Sequence, residues 1–217
     1  MSYEISLDEL DSEVRTYHRK ESAVFYKTKE TFGALSNMAS GYPLRVNCVR
    51  ILTSEALYQA CRFPHLPEVQ RVIIDQKSPI AAKMKSKPHR KDSRPDWDQV
   101  RVGVMRWCLR VKLAQNYKEF GRWLLVTKDK EIVEQSKKDA FWGAKVIDDD
   151  GEILVGQNVL GRLLMELREL YRNDDEERLK MVAPLEIKNF MLFGESIKAI
   201  PEDGLIGHHE QRQPCLF

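Results

Sequence analysis

The 217 residues are 42% apolar and 31% charged, with a formal charge of +2. That length and composition fit one well-buried core and exclude wholesale disorder, while near-neutrality leaves any nucleic-acid argument to a local patch. Cys48, Cys61, Cys108 and Cys215 form no C-x-x-C pair and have no His at ligand spacing, so reduced thiols are expected rather than a disulfide framework or a zinc site.

The opening Met1-Ser-Tyr-Glu-Ile, acidic through Glu13, fits no signal peptide, and residues 1–22 read as a polar lead-in. No apolar run approaches a membrane span, so a cytoplasmic protein without a membrane partner is expected. Ala23–Tyr26 predicts a strand, residues 31–41 a Gly/Ser/Asn loop, and the alternating Leu44–Leu52 a strand or hairpin. Helices follow. Thr53 or Ser54 caps one over 55–63, and prolines open those at 67–75 and 79–85. Val100, Val104, Trp107, Cys108 and Val111 share one face of a helix over 98–115, with another predicted over 117–126. A short strand is expected at 131–134. Leu160, Leu163, Leu164, Leu167 and Leu170 define a buried stripe on a helix over 159–171, with Asn158 as its cap. After the acidic break at 173–177, residues 187–193 are apolar enough for a strand. The pattern is α+β, predominantly helical, with a lead-in (1–22), one domain (23–172) and a C-terminal extension (173–217).

Four clusters carry chemistry. Helical spacing sets Glu55, Tyr58, Gln59 and Arg62 on one face, a convergence suited to a site but also found on solvated helices. Asp139 precedes Trp142-Gly143, which puts a carboxylate beside an aromatic wall or simply marks a turn with a core Trp. Gly156 and Gly161 flank Asn158 at a helix start, where backbone N–H groups can hold a phosphate; a capped helix explains the pattern equally well. Lys77, Lys83, Lys85, Lys87, Arg90, Lys91 and Arg94 are opposed only by Asp92, a local positive field or a solvated loop. Trp97 beside it either stacks on a base or covers the core of the next helix.

In this order the segments resemble one family. Phe25-Tyr26, Gly33-Ala-Leu-Ser-Asn-Met38, Thr53-Ser-Glu-Ala-Leu-Tyr-Gln59, Ala82-Lys83, Asp96-Trp97, Met105, Lys112, Asp139-Ala-Phe-Trp-Gly143 and Gly156–Arg168 are similar to the NADAR (YbiA-like) family over about 23–171. The resemblance implies a mostly helical domain that hydrolyses N-glycosides without metal or cofactor. One branch of the family cleaves pyrimidine intermediates of riboflavin synthesis. The other removes ADP-ribose from guanine in DNA, countering DNA ADP-ribosyltransferase toxins. The 33–41 segment and the basic 85–95 insert favour the second branch, with single-stranded ADP-ribosylated DNA as substrate and a transferase toxin as functional counterpart. A non-catalytic ADP-ribose or NAD-binding module is the third reading. The family more often has a histidine where this chain has Ala56. The expected catalytic groups are Glu55, Asp139 and Lys83. The expected binding groups are Asn37, Tyr58, Gln59, Arg94, Trp97, Trp142, Gly143, Gly156, Asn158 and Gly161.

Overall fold

The computed structural model describes residues 13–202; Cys215 and residues 1–12 lie outside them. Among the described residues six helices and several short strands make an α+β fold in two compact units, residues 13–39 with 118–176, and residues 40–117 with 177–202.

The first unit joins β1 (Arg15–His18), β2 (Ala23–Phe25), α5 (Tyr117–Val126, all but its first residue), β5 (Ile132–Glu134), β6 (Lys145–Val146), β7 (Ile153–Gly156) and α6 (Val159–Arg172). β7 lies between β1 and β6, antiparallel to both, and β2 runs parallel to β5 with Ala23 opposite Ile132. The expected lead-in is therefore corrected: its last part is strand. Four residues are too few to display a period of two, and the partner of Arg15 is Gly156, far along the chain. Tyr17, Val133, Ala144 and Leu154 form a fully buried cluster. α6 packs on β5 with Leu160, Leu163, Leu164 and Leu167 buried, while Leu170 is only half-buried. Each buried leucine contributes about 1.5–3 kcal/mol. Arg168 ties the far end of α6 down by donating to Thr127 Oγ1 (2.9 Å) and to the Lys130 carbonyl (2.7 Å).

The second unit begins with the hairpin β3 (Leu44–Val46) and β4 (Val49–Ile51). Its two-residue turn, Asn47-Cys48, has φ of 46° and 64°, the left-handed pair that matches strand twist. Then come α1 (Ser54–Cys61), α2 (Pro67–Ile74), α3 (Pro79–Ser86), a 3-10 turn (Lys87–Asp92) and α4 (Trp97–Gln115). Thr53 and Ser78 cap α1 and α3 by accepting from Ala56 N and Ala81 N. α2, α3 and α4 all pack on α1, and every residue of α1 is buried.

Residues 177–202 are pinned to this unit by polar side chains. Gln70, fully buried on α2, donates to the Met191 carbonyl (3.0 Å) and accepts from Phe193 N (2.7 Å). Trp107 Nε1 donates to the Ala183 carbonyl (2.9 Å), and Phe190 meets the Trp107 ring edge-on at 4.8 Å. The strand expected at 187–193 shrinks to β8 (Met191–Leu192), paired with β9 (Glu195–Ser196). Asn189 and Phe193 adopt positive φ on either side of it, which ends an extended run. Among the described residues no helix is long and apolar enough to cross a membrane, and no group of three or more His, Cys, Asp or Glu could hold a metal ion.

Two predictions follow from the packing. A Cβ on Gly161 would lie 2.0 Å from the Ile132 carbonyl oxygen, so Gly161→Ala should cost about 1–3 kcal/mol in urea unfolding; unchanged stability would refute this close approach. Lys112 is 1% exposed, and burial holds its amine well below the ordinary 10.5. Between the lowered value and 10.5 the unfolded chain binds the extra proton, so this group makes stability rise with pH there and fall as pH drops. Lys112→Met should flatten that alkaline rise, although it also removes the ammonium that stands 4.6 Å from the Tyr42 ring centroid. A steeper rise in the variant would contradict the assignment.

Candidate active site

In the second unit the site begins with a carboxylate placed where water cannot solvate it. Glu55 stands in the first turn of α1, where its charge suits the helix N-terminus, yet it is only 2% exposed. One turn on, Gln59 Nε2 donates to Glu55 Oε1 at 2.9 Å. The other end of that amide, Oε1, accepts from Ser86 Oγ at 2.6 Å. Lys83 Nζ stands 4.0 Å from Glu55 Oε1 with its side chain half exposed. Lys83 and Ser86 are one turn apart on α3, so two helices supply the partners of a single carboxylate. An anion so placed can stabilise positive charge developing on a bound molecule, or activate water.

The face expected to converge divides in two. Glu55 and Gln59 turn to α3, whereas Tyr58 and Arg62 turn to Trp97. The Tyr58 and Trp97 ring centroids are 5.1 Å apart, and the Arg62 guanidinium lies 4.7 Å over the Trp97 ring. Burial, then the charge of Glu55, pushes the Tyr58 phenol far above its ordinary value; burial also lowers Arg62. Trp97 is 4% exposed, so the expectation of an open stacking platform is corrected. The first residue of α4 must cover the core beneath it, and that leaves no free face for a base.

Arg94 is likewise buried, and Nε and Nη2 of its guanidinium are engaged by the fold, while Nη1 has no hydrogen-bond partner among the described residues. The guanidinium donates to both Asp96 carboxylate oxygens (2.6 and 2.9 Å) and to the Lys188 carbonyl (2.6 Å). The last of these bonds fastens the extension. Arg94 lines a cleft of about 870 Å³ together with His65, His89, Asp92 and Lys188. No sequence pattern announced this cleft, because Lys188 comes from the extension.

In the first unit Asp139 Oδ1 accepts from Phe141 N and Trp142 N, both at 2.9 Å. The carboxylate thus holds the turn that carries Trp142. Trp142 is half-buried and meets Phe141 edge-on at 5.0 Å, so part of its surface is open. Asn37 is 6% exposed.

The phosphate role expected of the Gly156–Gly161 helix start is overturned. The N–H groups of Gln157, Asn158, Val159 and Leu160 donate to the carbonyls of Ala140, Gly143, Phe141 and Trp142 at 2.7–3.2 Å. Donors so engaged are not offered to an anion. The glycines serve close approach: a Cβ on Gly143 would lie 2.3 Å from the Glu134 carbonyl oxygen, and one on Gly156 2.4 Å from that of Gly143. Asn158 occupies the cap position at φ 50°, but its side chain makes no cap bond. Fully buried, it donates to the Ile132 carbonyl (2.8 Å) and accepts from Glu134 N (3.0 Å), which clamps α6 to β5. Ser86, central to the Glu55 network, was missed from the sequence because a serine in a lysine-rich helix carries no signal.

N-glycosidase YbiA of Escherichia coli (strain K12) is 37% identical over 148 residues, covering 67% of this chain and 85% of that protein. The riboflavin biosynthesis protein VVA0006 of Vibrio vulnificus (strain YJ016) is 34% identical over 171 residues, covering 78% of this chain and 42% of that protein. The solution structure of E. coli YbiA superposes with a TM-score of 0.59 at 33% identity, covering 74% of this chain and 92% of that one. Similarity to proteins named N-glycosidase supports an N-glycosyl hydrolase. The NADAR domain matches residues 24–172, and the chain belongs to the NADAR domain family.

Proposed function

We propose that this protein hydrolyses the N-glycosidic bond between ADP-ribose and guanine in single-stranded DNA, with Glu55 as the catalytic carboxylate. The observation that carries the reading is the buried Glu55 carboxylate, oriented by Gln59 and flanked by Lys83. Departure of the base leaves positive charge at the anomeric carbon of the ribose. A fixed anion there stabilises the oxocarbenium-like transition state, and water completes hydrolysis. Lys83 supplies either a charge for the diphosphate or, if the ribose opens, an amine to capture it. Asp139 sets the turn that presents Trp142, part of whose surface is open.

Preference for nucleic acid rests on the exposed cations Lys83, Lys85, Lys87, Arg90 and Lys91, which follow one another through α3 and the 3-10 turn. Such a row neutralises a phosphate backbone and is of little use to a small pyrimidine. In this reading the enzyme is cytoplasmic and works as an antitoxin, reversing the product of a DNA ADP-ribosyltransferase. The riboflavin-biosynthesis name of VVA0006 favours a second reading, hydrolysis of a phosphoribosylaminopyrimidine.

Glu55→Gln should still bind ADP-ribose while releasing it from a modified oligonucleotide at least ~100-fold more slowly. Calorimetry and single-turnover release measure the two, and full turnover in the variant would sink the assignment. Wild-type protein that binds ADP-ribose without ever turning over would instead be a binding module. Replacing Lys85, Lys87, Arg90 and Lys91 by Gln should flatten the salt dependence of oligonucleotide affinity by about 0.7 in log–log slope per lost phosphate contact. Release of ribose phosphate from an aminopyrimidine substrate, indifferent to these changes and to salt, would favour the second reading.

A further inference from the structure

The hydroxyl of Ser86 has one proton and two acceptors within reach, Gln59 Oε1 at 2.6 Å and the Lys83 carbonyl at 2.9 Å. Ser86 is fully buried and Gln59 nearly so. The Gln59 amide spans the gap between this hydroxyl and Glu55, and its two ends are chemically opposite. An ionised Glu55 only accepts, so it takes the NH2 end; the amide oxygen then faces Ser86, whose proton goes to it. A protonated Glu55 donates, which calls for the amide to turn over. Its NH2 end then donates to Ser86 Oγ, and the Ser86 proton passes to the Lys83 carbonyl. Both arrangements pair the two ends of the Gln59 amide with Glu55 and Ser86, whereas a mixture sets like groups against each other.

We propose that Ser86 is a positioning residue for the glycosidase, acting through Gln59 to hold Glu55 as an oriented anion. The inference rests on Glu55 being the catalytic carboxylate. It goes further by naming the group that fixes which end of the amide Glu55 meets. Other groups also sense this carboxylate. Lys83 on α3 stands 4.0 Å from it, while Tyr58 on α1 and Cys108 on α4 feel its charge. With Lys83 also beside it, loss of Ser86 loosens the carboxylate without freeing it.

The test follows the side-chain amide signals of Gln59 in the full-length chain by 15N NMR at neutral pH, assigned by their loss in Gln59→Leu. Glu55→Gln should move them from their wild-type positions, because the NH2 end meets that carboxylate. In Ser86→Ala they should also move, because the oxygen end has lost its donor. On an ADP-ribosylated oligonucleotide, Ser86→Ala should lower kcat about five- to tenfold with KM within twofold. In a Gln59→Leu background Ser86→Ala should cost nothing more. Ser86→Cys, nearly isosteric and a weaker donor, should fall between wild type and alanine, and it serves if the alanine variant does not fold. Gln59 amide signals left in place by Ser86→Ala, or an equal loss of rate in both backgrounds, overturn the proposal. The NMR arm needs no substrate. Wild-type protein inactive on the oligonucleotide but with this coupling intact would defeat the substrate reading and leave the Ser86 role standing.

Discussion

A carboxylate that is 2% exposed has to find inside the protein what water would otherwise supply, and that requirement organises the second unit. Glu55 satisfies it within one turn, from Gln59, and across to α3, from Lys83 and, through the amide, from Ser86. α1 is buried on every side, an unusual condition for a helix carrying Glu, Gln and Tyr. It is tolerated because each polar position meets a partner from a neighbouring helix. The same condition makes the site chemically useful, since charge in a low-dielectric, preorganised setting acts more strongly than charge in water.

The first unit solves a different problem with the same economy. Its last helix begins where glycine, asparagine and backbone carbonyls crowd together, and the orphan N–H groups of the helix start are consumed by the 140–143 turn. Asn158 reaches sideways to both a donor and an acceptor of β5. Asp139 closes the turn from the other side. The result is a rigid platform that presents Trp142 without relying on a bound anion for its stability.

The extension shows how polar pins replace a sheet. Gln70, Arg94 and Trp107 each give a side-chain hydrogen bond to a backbone carbonyl between 183 and 191. Such bonds position a segment that has little regular structure of its own, and they leave a cleft that the family domain alone would not enclose.

Much of this was legible in advance. The helical stripes at 98–115 and 159–171, the proline-led helices and the Glu55-x-x-x-Gln59 spacing are local properties, and local spacing decides which residues share a face. The family followed from weak motifs in a fixed order. Partners far apart in the chain were not legible: the strand at Arg15–His18, the Ser86 bond to Gln59, and the carbonyls that occupy the N–H groups before Val159. Glycine codes equally well for an open cradle and for close backbone contact, and tryptophan for a platform or a core. Which of the two holds depends on what packs against the residue, and only the folded chain brings that neighbour within reach.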